Sequence, residues 1–154
     1  MATMHDLVEF SIAHERYAMD IQLAREIVEM VPLTPIPRAP SHVSGIINLR
    51  GEITTIVDLA HVLEVDSAAK DRKRKIIILV PEHCGGSHVG ITVDDVDSVI
   101  QVTEKDVEKL SEGFQGGITS FVKGVIKKNG TGEGTGLILW IDLEKILHER
   151  IAQN

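Results

Sequence analysis

Four stretches of this 154-residue chain carry residue types that could do chemistry. His83, Cys84 and His88 offer imidazole and thiolate, the ligands of transition metals. Three of them within six residues, with no fourth nearby in sequence, match zinc spacing poorly, so no metal is expected. Asp94, Asp95 and Asp97 could hold a cation or share a proton. In V-x-V-D-D-V-D-S-V, however, Val93, Val96 and Val99 recur at a spacing of three, so the acids are expected to point outward between buried valines. The glycine-rich run KNGTGEGTG at 128–136 looks like a phosphate cradle, but it lacks the Gly-Lys-Ser/Thr ending and a helix to aim at the phosphate, and reads as a long hairpin loop. Arg50 is the fourth candidate. It stands beside Gly51 between two aliphatic runs, where a guanidinium, always charged and planar, can read a carboxylate or a row of carbonyls or else sit solvated.

The remaining histidines, His5, His14, His42, His61 and His148, are scattered, and none accompanies a Ser or Cys in a nucleophile motif. No catalytic set and no cofactor motif emerges. The residues point to a binding module rather than an enzyme.

The elements that must position Arg50 are legible around it. In 42–63, HVSGIINLRGEITTIVDLAHVL, Val43, Ile46, Ile47 and Leu49 run up to the Arg50-Gly51 turn, and Ile53, Ile56, Val57 and Leu59 run away from it, as two strands of a hairpin do. Asp58 can then cap a short helix over 59–63. Upstream, 7–21 alternates near period two and predicts a hairpin turning at His14-Glu15-Arg16, while 23–31 fits either a short helix or a buried strand. Pro32, Pro35, Pro37 and Pro40 make the next stretch an extended crossing connection; a PxxP ligand is the alternative. Beyond the polar 66–75 segment, whose basic cluster Arg72-Lys73-Arg74-Lys75 reads as a solvated linker, strands are expected over 76–80, 89–93 and near 97–102. A short helix from Thr103 or Asp106 toward Leu110 follows.

Composition bounds the rest. Hydrophobic residues make 43% and charged residues 25% of the chain, ordinary for one globular domain, and the 3% aromatic content leaves the core to Ile, Val and Leu, which favours strands. A net charge of −7 opposes contact with phosphate backbones, so no nucleic acid is expected. One cysteine allows no internal disulfide, and no apolar signal follows Met1. These features predict a cytoplasmic protein without direct membrane insertion.

The chain also repeats itself. Val43-Ser44-Gly45-Ile46-Ile47 has a counterpart in Val122-Lys123-Gly124-Val125-Ile126, and Val57-Asp58-Leu59 in Ile141-Asp142-Leu143. Tyr17, Met19, Ile21, Ile27 and Val28 match Val89, Ile91, Val93, Val99 and Ile100 at constant offset. Two copies of one unit, each with about five short strands, can close as small barrels that hide their edges.

With these residues in view, the chain from Leu7 to Leu147 resembles the CheW-type coupling proteins of chemotaxis. The motifs are Val8-Glu9-Phe10, Tyr17-Ala18 with Ile21, Glu26-Ile27-Val28, Asn48-Leu49-Arg50-Gly51, Val57-Asp58-Leu59, Gly90 with Val93-Asp94 and Val96, Phe121 with Gly124-Val125, and Ile141-Asp142-Leu143. Thr55, where the family often has proline, and Ala24, where it has valine, depart from the pattern. The resemblance implies a mainly β fold of two packed five-stranded SH3-like barrels with a few short helices. It implies one CheW-like domain over 1–154, with subdomains near 12–70 and 71–150 and terminal strands able to cross between them. It also implies a non-enzymatic adaptor, without metal or cofactor, joining the regulatory domain of the histidine kinase CheA to the tips of methyl-accepting chemotaxis receptors. By position Arg50 inherits the receptor contact, with Asn48, Gly45, Ile76, Val99 and Glu26 on the same groove. The alternatives are a small-molecule or metal-binding β-barrel, or an isolated kinase regulatory domain.

Overall fold

Alternating apolar residues from Met4 to Ile12 and from Glu15 to Asp20 form strands β1 and β2, paired antiparallel through Leu7↔Asp20 to Ile12↔Glu15. Their turn is Ala13-His14, with φ of 56° and 67°. Two residues of positive φ match the twist of paired strands, so the turn is one residue earlier and tighter than the expected 14–16. The structure is a computed structural model that describes residues 3–65, 74–110, 120–127 and 136–151. The glycine-rich run at 128–135 and the segment 66–73 lie outside the described residues.

The ambiguous stretch after β2 resolves into a single 3-10 turn, Ile21–Leu23, and strand β3, Ala24–Glu29. Strands β4 (Val43–Leu49) and β5 (Glu52–Asp58) form the central hairpin, and α1 (Leu59–Val62) follows. Next come β6 (Lys75–Leu79), β7 (Val89–Val93) and β8 (Asp95–Thr103). The helix expected toward Leu110 is instead one 3-10 turn, Glu104–Asp106, closed by a Thr103/Asp106 capping box and followed by the short strand β9, Val107–Glu108. Strands β10 (Val122–Lys127) and β11 (Leu137–Ile141) lead to α2 (Leu143–Ile146).

The strands make two mixed sheets, in the orders β8-β1-β2-β11-β10-β9 and β3-β6-β7-β5-β4. Under the sequence repeat, β6, β7, β3, β5 and β4 are the counterparts of β1, β2, β8, β11 and β10, so the two orders are the same. The sixth strand has a counterpart too. Thr34, in the proline segment, forms a two-way bridge to Ile46 on β4 (3.0 and 2.8 Å), where β9 pairs with β10 in the other sheet. The chain leaving each outer strand, β3 or β8, thus returns to the opposite edge and closes the sheet on itself.

Sheet membership does not divide the chain near residue 70. β1 and β2 join β8–β11, whereas β6 and β7 join β3–β5. The physical reason is in β1, β2, β6 and β7, which bury both faces. Ile76 and Ile78 fill one barrel while Ile77 and Leu79 face a core shared by both sheets; Leu7 and Ala18 fill the other barrel while Val8, Phe10, Tyr17 and Met19 face the shared core. Burial on both faces lets one strand build two cores at once.

Candidate functional site

The Arg50 turn is a two-residue hairpin. Leu49 and Glu52 are the last paired residues, and Arg50 and Gly51 between them have φ of 52° and 88°. The Asn48 side-chain carbonyl accepts a hydrogen bond from the Gly51 N–H at 2.8 Å and holds the turn shut. For a residue with a Cβ, the left-handed conformation costs about 1–2 kcal/mol, which Gly would avoid and the local hydrogen bonds of Asn would offset. The Arg50 side chain is 58% exposed and pairs with the Glu26 carboxylate on β3. An exposed pair of this kind contributes at most about 1 kcal/mol, so arginine here gives the fold little or nothing. Positive φ alone does not set Arg50 apart, since Ala13, His14, Arg38 and Glu64 share it; an exposed guanidinium at the tip of a two-residue hairpin does.

Around the tip lies a lattice of polar contacts. Glu52, the first residue of β5, faces Arg25 of β3 at 3.4 Å and His88 at 3.2 Å. Since β3 stands at the far end of the strand order from the β4–β5 hairpin, its contacts with Glu52 and Arg50 exist only because the sheet curls into a barrel, whereas His88 precedes β7, the direct neighbour of β5.

Of the six expected site residues, the structure brings together Arg50, Asn48 and Glu26. Gly45 is buried beneath the proline segment, and an added Cβ would stand 2.7 Å from the Thr34 carbonyl oxygen. Ile76 is 0% exposed and packs with Ile47, Ile56 and Ile78 inside the barrel. Val99 lies on the other sheet, on β8 opposite Val8, and is 57% exposed. The spacing-three reading of 93–99 thus fails at Val99. The segment is extended, and Asp94 accepts the Ala13 N–H at 2.8 Å while Asp97 faces Arg16 at 3.4 Å. Ile27 on β3, the repeat mate of Val99, is likewise an exposed apolar residue. No local pattern in the sequence announces the Arg25-Glu52-His88 contacts.

The loop histidines go to different carboxylates: His83 Nδ1 meets Glu144 at 2.9 Å, and His88 meets Glu52. Among the described residues no group of three or more His, Cys, Asp or Glu side chains could hold a metal ion. Burial, aided by the Glu144 charge, pushes the Cys84 thiol up from its ordinary value, which disfavours the reactive thiolate. Burial, with His61 nearby, pulls His42 down.

Comparison with known proteins follows the same architecture. The model of the CheW-like domain matches residues 6–150. The chain is 30% identical to the chemotaxis protein CheW of Treponema pallidum over 150 residues, covering 96% of this chain and 84% of the relative. It is 31% identical to the CheW of Thermotoga maritima over 144 residues, covering 94% and 88%. Among solved structures it is similar to the scaffolding protein TtCheW from Thermoanaerobacter tengcongensis, at 32% identity with a TM-score of 0.75, covering 94% of this chain and 92% of that one.

Proposed function

Because the chain belongs to the CheW-like domain family, we propose that it joins methyl-accepting chemotaxis receptors to the regulatory domain of the histidine kinase CheA, with the Arg50 tip as the receptor contact. It is a chemotaxis scaffold, not an enzyme: its task is to hold two partners in one signalling complex. Its work is done in the cytoplasm, on receptor segments that reach it there. No helix among the described residues is long and apolar enough to cross a membrane. The domain acts as one unit over 1–154.

The observation that carries the receptor contact is an exposed arginine kept at positive φ at a hairpin tip, where it does little for the fold. Asn48 shapes that tip and Glu26 orients the guanidinium. Gly45 and Ile76 serve the contact from inside, by setting the barrel wall on which the tip stands. Val99 adds exposed apolar surface from the second sheet.

Arg50→Glu tests this reading. It replaces a charge-assisted contact, about 1.5–3 kcal/mol, by a repulsion, so affinity for a receptor cytoplasmic fragment should fall at least about tenfold. Kinase binding and the unfolding midpoint should hardly change, and Arg50→Lys should fall between, keeping charge but losing the planar fork. Undiminished receptor binding by Arg50→Glu would move the contact elsewhere; an unfolded variant would make Arg50 structural.

A further inference from the structure

The repeat exposes an asymmetry beside the Arg50 tip. In the six-stranded sheet Arg16 on β2 pairs with the buried Glu9 on β1 and meets Asp97 on β8 at 3.4 Å. The repeat mates of Arg16 and Asp97 are His88 and Arg25, so the other sheet has an imidazole and a cation where the first has a cation between two acids. There the carboxylate comes from a third element. Glu52, immediately after the Arg50-Gly51 turn, turns one oxygen to Arg25 at 3.4 Å and the other to His88 at 3.2 Å. The Thr55 N–H also donates to the His88 carbonyl at 3.0 Å, tying β5 to the segment that enters β7.

We propose that Glu52 is a positioning residue for the Arg50 tip. The inference rests on the reading of Arg50 as the receptor contact. Glu52 is anchored on two sides, to β3 through Arg25 and to the β7 entrance through His88, and so fixes where the hairpin ends.

Calorimetric titration of a purified receptor cytoplasmic fragment tests this on the full chain. Glu52→Gln should bind more weakly by about threefold or more, with its unfolding midpoint nearly unchanged, which a merely structural residue would not allow. Arg25→Gln, which removes the same anchor from the other side and changes the net charge in the opposite sense, should weaken binding likewise, and the double variant should be no weaker than either single one. Undiminished binding by Glu52→Gln overturns the proposal, as do opposite effects of the two single variants, which would mark a charge effect rather than positioning. Arg50→Glu run alongside separates the two levels: if it binds like the native protein, the assignment of the receptor contact itself has failed, and the inference with it.

Discussion

Gly45 and Gly124 occupy one place in two repeats, and the same close approach explains both. Gly45, at φ 155°, lies beneath Thr34, and a Cβ there would come to 2.7 Å from the Thr34 carbonyl oxygen and 3.1 Å from the Leu33 Cβ. At Gly124 it would meet Val107 Cγ1 at 2.3 Å and the Glu108 carbonyl oxygen at 3.1 Å. In each barrel the glycine is the gap through which the closing segment reaches the edge strand. Gly45→Ala and Gly124→Ala should therefore each cost about 2–4 kcal/mol, from overpacking and, at Gly45, from backbone strain as well. Urea denaturation would measure this. A Gly45→Ala protein of native stability that fails only in receptor binding would show that Gly45 belongs to the contact and not to the closure.

At the scale of elements, the two shortest helices show how little local propensity is needed when packing is supplied. α1 and α2 have four residues each, far below the length at which a helix stands alone. Each is started by an aspartate, Asp58 accepting the Ala60 N–H and Asp142 the Lys145 N–H, both at 3.1 Å, and each lays leucine and isoleucine or valine on the shared core. Replacing either aspartate by alanine should cost about 1 kcal/mol. Asp58 also faces Arg74 at 3.8 Å, so its loss should cost at least as much as that of Asp142. Denaturation midpoints of the two variants decide the order. Loss of kinase binding at an unchanged midpoint would instead mark the residue as an interface group.

For the whole molecule, the exchange of β1–β2 and β6–β7 between repeats should make the two barrels unfold as one cooperative body. Most of the large buried side chains lie in the core they share, and each barrel's private cluster is small. Trp140, the only tryptophan, reports on the six-stranded sheet, where Asp20 accepts its indole N–H at 2.7 Å. Ile91, on the other sheet, faces the shared core. Ile91→Ala should cost about 2–5 kcal/mol, and Trp140 fluorescence and far-ultraviolet circular dichroism should move together, in one transition. A Trp140 transition left in place while the dichroism shifts would mean that the barrels unfold independently.

Read from the chain alone, the hairpin at Arg50, the aspartate caps, the crossing role of the prolines and the duplication were all available, because each rests on neighbours in sequence: apolar alternation, a turn glycine, a cap, a run of prolines. The ordered motifs around them carried the family. Tertiary structure decided what depends on pairing over long separations. It split each repeat between two sheets, because β1, β2, β6 and β7 bury residues on both faces and alternation cannot say which face meets which partner. It placed Ile76 inside a barrel and Val99 outside, although both read as strand aliphatics. It also joined Arg25 to Glu52 and Glu26 to Arg50, since ion pairs across a closed sheet depend on its curvature, and curvature has no local sequence signal.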